Sequence, residues 1–145
     1  MSQKTVAIGA DHAGYELKSS LSAVVKELGY GLLDLGTHGP DSVDYPDFAN
    51  AVAEALTGGA AAHGLLICGS GIGMSIAANR HGGVRAALCH DEETARLARE
   101  HNDANVLVLG SRLVDGDVAE KCVRVFFTTA FDGGERHARR VAKLA

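Results

Sequence analysis

The chain has 145 residues, of which 46% are hydrophobic and 22% charged, with a formal net charge of -4. That length suits one domain, residues 1–145, with its own core, and the balance of residues is that of a folded globular protein, not a disordered or fibrous one. An acidic surface without a block of Lys or Arg argues against nucleic acid or an anionic membrane as partner and points to a small ligand.

The first apolar run, residues 5–8, begins after four residues, too few for a signal peptide. No apolar stretch approaches the roughly 18 residues of a membrane span, so the expectation is a cytoplasmic protein. Further apolar runs at 31–35, 64–68, 84–89 and 105–109 read as strands. Helical spacing fills the intervals at 15–28, 46–56, 74–79, 92–101 and 118–128, and a last helix is expected at 136–144. Pro46 suits a first helical turn, and Asp91 and Asp117 stand where N-caps belong. Because the strand runs are continuous instead of alternating, both faces of the sheet should be covered. The expected fold is therefore α/β: a three-layer, Rossmann-like sandwich around a five-stranded parallel sheet.

In such sheets ligands bind beyond the carboxyl ends of the strands. That rule gathers Asp11, His12, Cys68, Ser70 and Arg112 at one end, with the loop 36–45, GTHGPDSVDY, as a rim. His101 and Asn102 differ, since they close a helix just before the last strand.

The stretch LLICGSGIGMSIAANR, residues 65–80, places a thiol at the mouth of a glycine-rich turn. It lacks the spacing of a dinucleotide fingerprint, the lysine of a Walker A loop, and the arginine that a thiolate phosphatase needs six positions after the cysteine, where Met74 stands. What remains is a turn whose amides open a helix and favour negative charge on an oxygen, with a thiol beside it. Helix N-termini favour the thiolate. A thiolate next to oxyanion donors suits removal of a proton from carbon beside a carbonyl, while burial at a strand end is the alternative for Cys68. Cys68, Cys89 and Cys122 are an odd number without C-x-x-C spacing, which suggests neither a disulfide framework nor a zinc site.

Of seven histidines, His38, His63, His81 and His90 fall in loop or turn contexts that imply solvation, and His137 reads as a helix-surface residue. His12 and His101 stand out by position, although a cation favouring a helix C-terminus also accounts for His101. Arg136 and Arg140 are four apart and share a helix face, fit either for a phosphate clamp or for a solvated basic end.

The segments GADHAGYELK, DLGTHGPDSVDYPDFA, GLLICGSGIGMSIAANR, REHNDANVLVLGSR and GGERHARRV occur in one order over nearly the whole chain. Together they resemble the ribose-5-phosphate isomerase B family, which includes the galactose-6-phosphate isomerase subunits, and within it the branch with a cysteine base. The resemblance implies an aldose–ketose isomerase that acts on a phosphorylated sugar without metal or other cofactor. Cys68 would shuttle a proton between C1 and C2, and the amides of Gly69, Ser70, Gly71, Ile72 and Gly73 would hold the enediolate. His101, helped by Asp11, would open the sugar ring. His12, Arg112, Arg136 and Arg140 would bind the phosphate, and Asn102 and Tyr45 the sugar hydroxyls. The family forms homodimers, often dimers of dimers, whose sites draw on both subunits, with the last helix reaching across. Ser70 stands where many members have threonine, which keeps the hydroxyl and leaves more room. Ribose 5-phosphate is the expected substrate. A six-carbon or four-carbon sugar phosphate, or a non-catalytic anion-binding role, is the alternative.

Overall fold

The computed structural model describes residues 4–145; the chain's first three residues, read above as preceding the first strand, lie outside the described part. Five strands, β1 (Thr5–Ala10), β2 (Gly31–Asp34), β3 (His63–Cys68), β4 (Ala86–Leu88) and β5 (Val106–Gly110), form one sheet in the order β2-β1-β3-β5-β4. Every pairing is parallel. Six helices connect or follow them: α1 (Tyr15–Glu27), α2 (Tyr45–Thr57), α3 (Ile72–Asn79), α4 (Glu92–Glu100), α5 (Gly116–Phe126) and α6 (Glu135–Ala142).

The continuous apolar runs feed two cores, one on each face. Val6, Ile8 and Ala10 of β1, Leu65 and Ile67 of β3, and Leu107 and Leu109 of β5 pack with α1, α4 and α5. The alternate residues Ala7, Leu66, Cys68, Val106 and Val108 pack with α2 and α3. This is the period of two of a strand seen from both sides. Connections moving one way along the sheet cross one face and those moving the other way cross the other, as right-handed crossovers require.

Local signals account for most boundaries. Pro46 lies in the first turn of α2, and Asp91 caps α4 in a reciprocal box with Thr94. The cap of α5 is Asp115, not Asp117: the Asp115 carboxylate accepts the Val118 N–H at 2.9 Å, and Asp117 falls in the first turn. The fourth strand is shorter than its apolar run, because the Arg85 N–H is taken by the Asn105 side chain at 2.8 Å before the ladder begins. Helix α6 contributes no residue to either core, and its one buried side chain is His137. No helix among the described residues is long and apolar enough to cross a membrane.

Candidate active site

Strands β1 and β3 are neighbours whose onward connections run in opposite directions along the sheet, so a crevice opens beyond their carboxyl ends. A cleft of ≈ 530 Å³ lies there, lined by Asp11, Tyr45, Cys68, Ser70, Gly73 and Arg112 among others. Cys68 ends β3 and is 5% exposed, with its remaining surface on this cleft.

The turn after Cys68 is shaped by glycines at two points where no side chain fits. Gly71 has φ +80, and a Cβ there would press on Leu88 and the backbone of Leu109. At Gly110, where β5 ends beside the turn, a Cβ would overlap the Ser70 carbonyl. This close approach lets Ser111 N–H reach the Cys68 carbonyl at 2.9 Å and Arg112 N–H reach the Gly69 carbonyl at 2.9 Å. The two loops are thereby fixed together, and the Arg112 guanidinium lies over Gly69.

Two of the turn's amides serve the turn itself. Gly71 N–H donates to the Cys68 sulfur at 3.2 Å, and Ile72 N–H donates to the Ser70 hydroxyl at 3.2 Å. Gly73 and Met74, in the first turn of α3, have amides without a partner among the described residues, as first-turn amides do unless a cap or ligand supplies one. The Tyr45 ring rests against Gly73, which has no side chain to keep it away.

On the β1 side, one carboxylate oxygen of Asp11 accepts the amides of Ala13 and Gly14 at 3.0 and 3.2 Å. Nδ1 of His12 accepts the Val43 N–H at 3.1 Å and so ties the loop before α2 to the end of β1.

His101, Asn102, Arg136 and Arg140 are not in this cleft. Cys68 pairs in register with Gly110, the last residue of β5, whereas His101 and Asn102 precede Val106, the first. Four strand steps, about 13 Å, therefore separate the level of Cys68 from that of Val106, and His101 and Asn102 come before Val106 in the chain. Asn102 lines a separate cavity of ≈ 420 Å³ with Asn79, Arg85 and Leu144. The His101 ring stacks on that of His137, centroids 4.5 Å apart and planes within 7°. This joins α6, which carries the exposed Arg136 and Arg140, to the end of α4. The expected residues thus fall into two separate groups, one at each end of the sheet.

Two histidines depart from the sequence reading. His137 is buried in that stack with Asp132 3.9 Å away, not at the helix surface. His63 opens β3, and its Nδ1 is buried without a hydrogen-bond partner beside the rings of Tyr30 and Phe127. Burial, with help from the Arg99 charge, holds its pKa below the ordinary histidine value. The structure adds Ile76 and Leu113, which together with the expected Ile72 are exposed apolar side chains lining the cleft. Among the described residues no group of three or more His, Cys, Asp or Glu is gathered as a metal site needs.

Residues 6–144 match the family model described as Ribose/Galactose Isomerase. Ribose-5-phosphate isomerase B of Escherichia coli is 44% identical over 141 residues, spanning 97% of this chain and 94% of that one. Among solved structures, ribose-5-phosphate isomerase B of Clostridium thermocellum superposes with a TM-score of 0.94 at 50% identity, covering 97% of this chain and 94% of that one. The type B enzyme of Trypanosoma brucei gives 0.96 at 46% identity, covering 99% and 97%. Matched from end to end in both sequence and fold, this chain belongs to the ribose/galactose isomerase family.

Proposed function

We propose that this chain, as a single cytoplasmic domain, interconverts ribose 5-phosphate and ribulose 5-phosphate. The carrying observation is the Cys68 sulfur, which receives the Gly71 amide at 3.2 Å and borders a cleft shared with Asp11, Ser70 and Arg112. The ribose-5-phosphate isomerase B relatives, similar over almost their whole length, support the choice of sugar.

The thiolate is the form of the sulfur that acts as a base, and the Gly71 N–H is a donor that it can accept. With the open-chain aldose in the cleft, the thiolate takes the proton from C2. The C–H electrons form the C1–C2 double bond as the carbonyl pair moves to O1, and the amides of Gly73 and its neighbours at the α3 N-terminus stabilise the new oxyanion. The thiol then returns the proton to C1 as the C2 hydroxyl passes its own proton to the O1 oxyanion, which leaves the ketose with C1–OH and C2=O. Arg112 and His12 hold the phosphate at this end of the sheet, and Tyr45 meets a sugar hydroxyl.

The rest of the machinery comes from a second copy. In a two-fold dimer each patch meets its complement twice, so the His101 end of one chain can face the Cys68 end of the other. His101 then protonates the ring oxygen as Asp11 takes the proton from the anomeric hydroxyl. Asn102, Arg136 and Arg140 complete the sugar and phosphate contacts from across the interface. The exposed Ile72, Ile76 and Leu113 at the cleft mouth give that second copy an apolar surface to cover.

Cys68→Ser replaces the thiolate with a hydroxyl that stays protonated at neutral pH. Turnover should fall at least ~100-fold with inorganic phosphate binding within about twofold of the native value. Turnover close to that of the native enzyme removes Cys68 as the base.

A further inference from the structure

Lys18 is a charged side chain only 4% exposed, and the isomerase mechanism does not use it. Its ammonium donates to both carboxylate oxygens of Asp34, at 2.8 and 2.7 Å. Burying an ammonium is costly, and an apolar side chain of similar volume often serves stability as well or better. The lysine here reaches from α1 to the end of β2, where Asp34 does a second job: its Oδ1 accepts the Gly36 N–H at 3.0 Å. Gly36 opens the loop between β2 and α2. That loop is fastened to the active-site end of β1, since Ala10 N–H donates to the Gly36 carbonyl at 2.8 Å and Thr37 N–H donates to the Ala10 carbonyl at 2.7 Å.

Ala10 immediately precedes Asp11 and His12. The far end of the loop is held by the Val43 N–H on His12, two residues before Tyr45 enters the cleft. Lys18, Asp34, Gly36, Ala10, His12 and Val43 therefore form one bonded chain, with a buried charge at its root and the cleft's rim at its tip.

We propose that Lys18 is a positioning residue for the reaction: through Asp34 it fixes the start of the 36–44 loop and so holds Asp11, His12 and Tyr45 in place around the sugar phosphate. The functional half of this rests on the isomerase reading. The mechanical half does not.

Lys18→Met keeps the side chain's reach and removes its charge. Native-state amide exchange at Gly36, Thr37 and Val43 should quicken at least about tenfold, with Leu65, Leu66 and Ile67 in β3 unaffected. KM for ribose 5-phosphate should rise at least about fivefold while kcat stays within about twofold. Lys18→Arg, a charged two-pronged donor to the same carboxylate, should restore both. A loosened loop with the native KM overturns the positioning role, and an unchanged loop overturns the clamp. If Lys18→Met does not fold, Asp34→Asn on the more exposed side of the pair makes the same test, with the same two results against the proposal. Should the native enzyme isomerise no aldose phosphate, the functional reading fails by itself, and the exchange rates still decide whether the pair clamps the loop.

Discussion

The Gly71 amide points at the Cys68 sulfur from 3.2 Å, and this contact separates Cys68 from the other two cysteines. Cys89 and Cys122 are buried in the opposite core, where loss of solvent pushes their thiols up to about 12 and about 11. Neither can offer a thiolate near neutral pH. Iodoacetamide on the native protein should therefore modify Cys68 alone, with loss of activity in step, and ribose 5-phosphate should slow both. Mass spectrometry of the peptides checks this; labelling of Cys68 with activity retained contradicts the assigned base.

Arg136 is exposed on α6 and does not line the cleft of its own chain. If it reaches the phosphate of a partner's substrate, Arg136→Ala removes one charge-assisted contact and weakens binding by on the order of 1.5 to 3 kcal/mol. Steady-state kinetics should show that loss in KM, with thermal stability unchanged. A native KM returns the residue to a solvated surface role.

His63 makes a prediction about stability and pH. Burial and the charges of Arg99 and Lys4 lower its pKa from 6.5, against a smaller opposing pull from Asp103. Above pH 6.5 the ring is neutral in both folded and unfolded chains, and its contribution to stability is fully present. As pH falls below that value the unfolded chain takes up a proton that the folded chain refuses, so stability declines until the folded pKa is passed. His63→Phe removes this term, and its denaturation midpoint should vary less between pH 6.5 and about 5 than that of the native protein. Parallel pH profiles would mean that other groups carry the acid sensitivity.

Much of this was legible in the sequence. Five apolar runs gave the five strands because each supplies alternate residues to two cores, as Val6 and Ala7 do, and a run buried on both faces needs no alternation. Cys68 and its glycine turn were legible because Gly71, with φ +80, marks a backbone that other residues rarely adopt. The helix start near residue 116 was misplaced because two aspartates compete there, and only the reach of Asp115 to Val118 N–H decides between them. His137 and Lys18 were beyond local pattern. A polar residue on an amphipathic helix reads as solvated, and what buries these two is His101 in one case and Asp34 in the other, each brought close by the fold and not by sequence spacing. The apolar rim of Ile76 and Leu113 is likewise a property of the surface, since single apolar residues outside a core are ordinary in sequence.

The proposed reaction needs Cys68 of one chain beside His101 of another. Chains carrying Cys68→Ser and chains carrying His101→Asn, each expected to be inactive alone, can be co-expressed with different tags and the mixed dimer purified. One of its two sites then holds both native side chains, so it should recover about half of the native turnover. A mixed dimer as inactive as its parents would contradict the shared site.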